Sequence, residues 1–293
     1  MGGAARRSAQ TAAILAWYRA NARDLPWRAD PEPWAVLVSE VMLQQTPVSR
    51  VLPVFDSWMA RWPRPAALAA EPAGEAVRAW GRLGYPRRAL RLHAAAVVCV
   101  TQFGGAVPSD VADLRSLPGV GEYTAAAVAA FAFGQRHPVL DTNVRRVQAR
   151  WLDGTESPLT TSVTALERSR ALDLLPTNGP DAAGLSVAFM ELGALVCSAR
   201  APRCEDCPIS RWCAWRAADC PQATGTARKA QAWQGTDRQC RGRIMAALRD
   251  SRSSVTEASL SDVWPDAAQL GRSLQSLVDD GLAVPEGSGY RLP

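Results

Sequence analysis

The chain reads as an all-α protein that ends in a small winged-helix-like unit. Three observations predict this. Segments 11–20, 34–45, 87–102, 122–133, 142–152 and 181–196 carry apolar residues at three- and four-residue spacing, the period of a helix with one buried face. Breaks bearing proline or glycine separate such segments, among them Leu25-Pro26, Trp62-Pro63, Leu83-Gly84-Tyr85-Pro86 and Leu117-Pro118-Gly119, and no alternating run reads as a central strand. Beyond residue 235 the pattern changes to a helix near 237–250, two more near 255–263 and 266–279, and a closing stretch, Leu282 to Pro293, that suits a hairpin around Glu286-Gly287-Ser288-Gly289.

At 293 residues with 47% hydrophobic side chains, the chain can bury one large core or two to three small ones. It contains no run of eighteen apolar residues, so no membrane partner is expected. Met1 to Arg7 has no apolar signal core, which predicts an intracellular protein. The net charge of +5 admits a polyanionic partner without demanding one. Lys229 is the only lysine, and every other basic side chain is arginine; together with the alanine excess this reads as compositional bias, but it has a chemical consequence taken up below.

Along the chain, the first helix of chemical interest runs from Pro33 to Thr46. Glu40 is the only acid among its Val, Leu and Met residues. It stands either on an exposed polar stripe or in an apolar setting, where desolvation would raise its pKa into the range of a general acid. Periodicity does not choose between the two. Next comes Leu117-Pro118-Gly119-Val120-Gly121, followed at once by the helix from Glu122. Two glycines around one apolar residue let the backbone turn and present N–H donors beside a helix N-terminus, where a phosphate oxygen can bind. Asp141 then precedes a helix at the N-cap position, a place where aspartate often has a purely structural task.

Seven cysteines are present, an odd number that argues against a disulfide framework. Cys197, Cys204, Cys207 and Cys213 crowd together with x6-x2-x5 spacing. Four soft thiolates suit a tetrahedral zinc or a [4Fe–4S] cluster, although zinc ribbons usually pair two short C-x2-C knuckles. Cys99 lies in an apolar helix and reads as core, whereas Cys220 and Cys240 have no evident partner. Residues 221–235, rich in Ala, Gln, Thr and Gly, read as a linker.

The cysteine spacing and the hairpin resemble those of the endonuclease III and helix–hairpin–helix superfamily. Leu25-Pro26-Trp27-Arg28, Ser39 to Thr46, Leu83-Gly84-Tyr85, Leu117 to Thr124, Leu140 to Arg146 and Met190-Glu191-Leu192-Gly193-Ala194 together resemble its MutY adenine DNA glycosylases over roughly residues 10–220. The resemblance implies a two-lobed helix–hairpin–helix glycosylase fold. A six-helix barrel over 30–137 would carry the hairpin, and 1–29 with 138–220 would form an iron–sulfur cluster lobe, followed by the linker and a winged-helix-like unit over 236–293. Glu40 would protonate the departing adenine and Asp141 would stabilise the sugar cation across the cleft, with Tyr123 and Asn143 beside it. Trp27, Arg28, Leu43 and Glu191 would line the base pocket, with Arg23 a looser match. Gln44, Gln45, Thr46 and Tyr85 would meet the DNA, Gln45 and Tyr85 as wedges in the base stack, and Gly119, Val120 and Gly121 would hold a phosphate. Cys197, Cys204, Cys207 and Cys213 would hold a [4Fe–4S] cluster. The implied partner is double-stranded DNA with a mispaired adenine, bound by a monomer in the bacterial cytoplasm at the nucleoid. Ordinary core packing is the competing explanation for Trp27, Leu43 and Tyr85.

Bifunctional relatives place a lysine where Tyr123 stands, to form a Schiff base with the sugar. Residues 1–228 contain no lysine, so a lysine-dependent strand cleavage is excluded there. Tyrosine at this position also occurs in G·T-mismatch thymine glycosylases, and a non-catalytic DNA-binding homologue is a third class; Gln44-Gln45 and Leu25 to Arg28 favour the adenine enzyme. Two departures stand out. Many MutY proteins carry a Nudix-like domain that reads 8-oxoguanine, whereas residues 214–293 read as linker and winged-helix-like unit, open to a protein or DNA partner. Pro86 replaces the second tyrosine of the usual Gly-Tyr-Tyr.

Overall fold

The computed structural model describes residues 3–222 and 233–293, so most of the segment read as a linker, and Lys229 with it, lies outside the described residues. The chain divides into two compact units, Met1–Val36 with Ser109–Arg115 and Val120–Thr226, and Leu37–Pro108 with Ser116–Gly119 and Ala227–Pro293. No helix among the described residues is long and apolar enough to cross a membrane.

The helices follow in order as α1 (Gly3–Asn21), α2 (Pro26–Ala29), α3 (Pro33–Leu43), α4 (Val48–Arg61), α5 (Pro65–Ala69), α6 (Ala73–Trp80), α7 (Arg87–Gln102), α8 (Val111–Ser116), α9 (Glu122–Phe133) and α10 (Thr142–Gln148). Then come α11 (Ala165–Leu174), α12 (Gly179–Leu195) and α13 (Ala214–Ala217). Several open on a proline at or beside the first turn, where its missing N–H costs nothing. The helix expected over 142–152 is α only to Gln148 and continues as a π-turn over Ala149–Asp153 that ends at left-handed Gly154.

In the first unit α1 and α10 pack on α12, around a core of Ile14, Leu140, Val144, Trp151, Leu185 and Phe189. Apolar on every side, α9 is buried against α12 as a helix without a polar face must be. The second unit centres on Trp58, Trp62 and Trp80, whose rings meet edge to face with centroids 4.7 and 5.8 Å apart.

Also in the second unit, α14 (Asp237–Asp250), β1 (Val255–Thr256), α15 (Glu257–Ser261), α16 (Ala267–Asp279), β2 (Val284–Glu286) and β3 (Gly289–Arg291) make the expected winged-helix-like arrangement. The strand order is β1-β3-β2, all antiparallel, with Val255 opposite Tyr290 and Pro285 opposite Tyr290 on the other side. The helix expected from 255 begins two residues later. Val255, β-branched, pairs with β3 instead, and Thr256 caps α15 by accepting from the Ser259 N–H. This arrangement grips α6 and α7 through Arg252–Glu75 (3.3 Å), Arg87–Asp280 (3.0 Å) and the Gly74 N–H donated to Pro293 O (2.6 Å).

A Cβ at Gly289 would lie 2.3 Å from the Val255 carbonyl oxygen, so only glycine closes this sheet. Gly289→Ala is expected to cost about 1–3 kcal/mol of stability. A lowered urea midpoint should accompany faster hydrogen exchange at 255–256 and 284–291.

Candidate active site and cysteine loop

Asp141 enters extended from Pro138 and caps α10, with Oδ1 accepting from the Val144 N–H at 2.6 Å. The structural task is therefore real, but it occupies one oxygen. Oδ2 accepts from Asn143 Nδ2 at 2.8 Å, and Asn143 Oδ1 in turn accepts from Arg146 Nη2 at 2.8 Å. Arg146 thus orients the Asn143 amide so that its nitrogen faces the carboxylate. Arg146 also donates from Nε to Cys197 O and from Nη2 to Gly193 O, both at 2.7 Å. A Cβ on Gly193 would stand 2.7 Å from Asn143 Cβ, so this glycine lets α12 approach Asn143. Burial pushes the Asp141 carboxyl above its ordinary value, against the hydrogen bonds from Val144 and Asn143 and the charge of Arg146. Tyr123 packs with Ala127, Ala130 and Val139.

Glu191 on α12 is fully buried, and it gathers two arginines. Oε1 accepts from the Arg23 backbone N–H at 3.0 Å and from Nε at 2.7 Å; Oε2 accepts from Arg23 Nη2 at 2.8 Å and pairs with Arg28 Nη2 at 2.9 Å. Burial works against the ionised form, but the hydrogen bonds from Arg23 and Arg28 outweigh it and hold this carboxyl at about 2. Arg23, the looser sequence match, is thus the bidentate partner. Trp27, beside Arg28 on α2, is buried.

The second unit carries Glu40, Leu43, Gln44, Gln45, Thr46, Tyr85 and Gly119. Glu40 on α3 is 5% exposed, so it does not stand on an exposed polar stripe. Leu43 ends that helix half-buried; Gln45 follows exposed, Thr46 buried. Gln45 (φ 55°) and the exposed Tyr85 (φ 48°) both hold left-handed backbone, at a cost of about 1–2 kcal/mol each. The Gln44 and Gly84 carbonyls and the Thr46 hydroxyl all meet Arg88, which the sequence reading passed over. Arg87 and Arg88 stand side by side in the sequence, which does not say that Arg88 is the buried one.

In the hairpin only Gly119 needs its freedom: it is left-handed (φ 82°), and a Cβ there would press on Arg91 Cβ at 2.8 Å. Gly121 is extended, caps α9 and is exposed, so its lack of a side chain serves access to the N–H groups rather than the turn. The Val120 side chain is buried, leaving only its backbone for a ligand.

Cys197, Cys204, Cys207 and Cys213 line one small pocket with Arg150 and Trp215. Arg150 Nη1 reaches Cys197 Sγ at 3.5 Å, and the Cys213 thiol reaches Arg150 O at 3.4 Å. Burial and the neighbouring sulfurs push Cys207 up to about 12, so thiolates in this pocket need the positive charge that a metal centre supplies. Cys99 and Cys240 are buried core thiols.

Because Glu191 is held at about 2, the stability it contributes is present above the ordinary carboxylate range and is lost as pH falls toward 2. Glu191→Gln is expected to lower stability by about 3–5 kcal/mol at neutral pH. Urea denaturation at a series of pH values should find the gap from wild type closing as the solution is acidified.

Residues 38–168 match the HhH-GPD superfamily of base excision DNA repair proteins. An adenine DNA glycosylase of Mycobacterium tuberculosis is 50% identical over 283 residues, 96% of this chain and 92% of that protein. Among solved structures, a thermostable thymine-DNA glycosylase superposes with TM-score 0.66 at 30% identity, covering 72% of this chain and 97% of that one. A trapped endonuclease III–DNA covalent intermediate superposes with TM-score 0.62 at 22% identity, over 75% of this chain and 100% of that one, a likeness of fold. Identity of this extent leads to one conclusion: the chain belongs to the adenine DNA glycosylase family, within the HhH-GPD superfamily of base excision DNA repair proteins.

Proposed function

We propose that this protein hydrolyses the N-glycosidic bond of adenine mispaired with 8-oxoguanine or guanine in duplex DNA and leaves the strand uncut. The observation that carries the reading is the presence of two buried or largely buried carboxyls, Glu40 on the apolar helix α3 and Asp141 with each oxygen held by a hydrogen-bond donor. Adenine leaves only once protonated, so the reaction needs an acid and an anion for the sugar. Glu40, buried on α3, is the acid that donates to the ring nitrogen. Asp141, fixed in plane by Val144 and Asn143, faces the oxocarbenium-like sugar. Trp27, Arg28, Leu43 and Glu191, with Arg23, accept the flipped base; Gln45 and Tyr85 fill the gap it leaves. The exposed hairpin amides of Gly119 to Gly121 take a phosphate.

The four cysteines fit a [4Fe–4S] cluster. Four cysteines that line one pocket supply the thiolate set such a cluster takes. It would pin the loop from 197 to 213 and supply folding energy.

The thymine-DNA glycosylase likeness supports a second reading, thymine release from G·T mismatches, at 30% identity over 72% of the chain against 50% over 96%. Single-turnover assays on duplexes with A opposite 8-oxoguanine, A opposite G and T opposite G separate the two. Adenine release lost in Glu40→Gln, with intact abasic strands and no borohydride-trapped adduct, is expected; thymine release alone would reverse the assignment. Since Asp141 must be ionised and burial raises its pKa, the rate should fall with acidification at a pH above the ordinary aspartate range. Asn143→Ala removes a hydrogen bond that lowers this pKa, so the acid limb of the pH–rate profile should move further up.

A further inference from the structure

Arg88 has no place in the reaction scheme, yet it is a buried cation at the junction of the two exposed loop residues. It is 7% exposed, and its hydrogen-bond partners are carbonyl and hydroxyl oxygens from three stretches of chain. Nη1 donates to Val41 O (2.9 Å), Met42 O (3.3 Å) and Gln44 O (2.6 Å) at the end of α3. Nη2 donates to Thr46 Oγ1 (3.3 Å), just past Gln45, and to Gly84 O (3.1 Å), just before Tyr85. The guanidinium lies 5.4 Å from the Tyr85 ring centroid and 5.3 Å from that of Trp80. Burial lowers its pKa from the usual arginine value, which marks the site as costly for a charge.

The two residues flanked by these bonds, Gln45 and Tyr85, are both exposed, both non-glycine and both left-handed. Unsupported, such backbone relaxes to ordinary conformations, so it persists only where its surroundings over-determine it. A single planar fork reaches the carbonyl or hydroxyl next to each of them. Lysine, a point donor, could not span these acceptors.

We infer that Arg88 is a positioning residue that presets Gln45 and Tyr85 together as one rigid double wedge, so that the enzyme meets DNA with its base-flipping element already formed. This rests on the wedge reading proposed above. Arg88 does not touch the base or the reacting atoms; it acts through the two loops.

The test uses the full-length, cluster-loaded protein and a duplex with 2-aminopurine beside the target adenine, whose fluorescence rises on unstacking. Arg88→Lys keeps the charge and loses the fork. It should reduce the fluorescence rise and single-turnover adenine release on the order of 10- to 100-fold. Affinity for undamaged duplex and the visible absorbance of the cluster should stay as in wild type. Release from a duplex with the adenine opposite an abasic site, already poorly stacked, should be within about twofold of wild type. Combined with Tyr85→Ala, Arg88→Lys should add little further loss, as expected of residues acting through one element. Should Arg88→Lys fold poorly, Thr46→Val deletes one acceptor and should give a smaller loss of the same kind. An equal loss on the paired and abasic duplexes, or an unchanged fluorescence rise, overturns the proposal. The fluorescence arm does not depend on adenine release. A wild type that unstacks DNA without releasing adenine therefore refutes the reaction while still testing Arg88, and a wild type with no rise overturns the wedge itself.

Discussion

Buried guanidinium groups bonded to backbone carbonyls are the interaction on which the functional loops depend. Helices end with carbonyls that have no partner of their own, and this chain satisfies many of them with arginine. Arg136 donates to Leu172, Leu175 and Pro176 at the end of α11. Arg145 gathers Thr160, Thr161 and Ser162 while pairing with Glu167. Arg150, stacked on Trp215, donates to Glu156, Ser198 and Ala199. With five donors in a rigid fork and a charge that water-free surroundings do not remove, arginine can close several turns at once. Near-complete replacement of lysine by arginine, whatever its origin in composition, makes such closure available throughout the chain.

The same chemistry joins the Asp141 carboxylate to the cysteine loop. From Cys197 O the contacts run through Arg146 to Asn143 and on to Asp141 Oδ2, with Gly193 allowing the close approach. Asp141 therefore has one oxygen oriented through contacts that begin at the cysteine loop. The Glu191 pair works differently: there a buried anion is compensated outright by Arg23 and Arg28.

Much of this was legible in the sequence, and what was not has a common cause. Helix period, proline entry points and the cysteine spacing are local, and they gave the helical body, the cysteine pocket and the C-terminal hairpin. Asp141 was readable as a cap because capping is local too. The burial of Glu40 was not, since α3 is apolar on every side and its period does not single out a solvent face. Arg88, Arg146 and Gly193 were missed for a related reason. Their partners lie some 40–50 positions away along the chain, and nothing in a run of arginines says which one turns inward. The π-turn after α10 and the strand at Val255 likewise answer to distant neighbours, Cys197 with the residues after it and Tyr290.

The hydrogen bond from Gly74 to the carbonyl of Pro293 bears on when the molecule can form during synthesis. The N-terminal turn of α6 is covered by a carbonyl made more than two hundred residues later, and α1 must likewise wait for α12. Both compact units assemble from segments far apart in the order of translation. Ordering contacts this distant carries a loop-closure cost before any reward. The apolar helix α9 stays without its packing partner until α12 has been made, and exposes apolar surface over that interval.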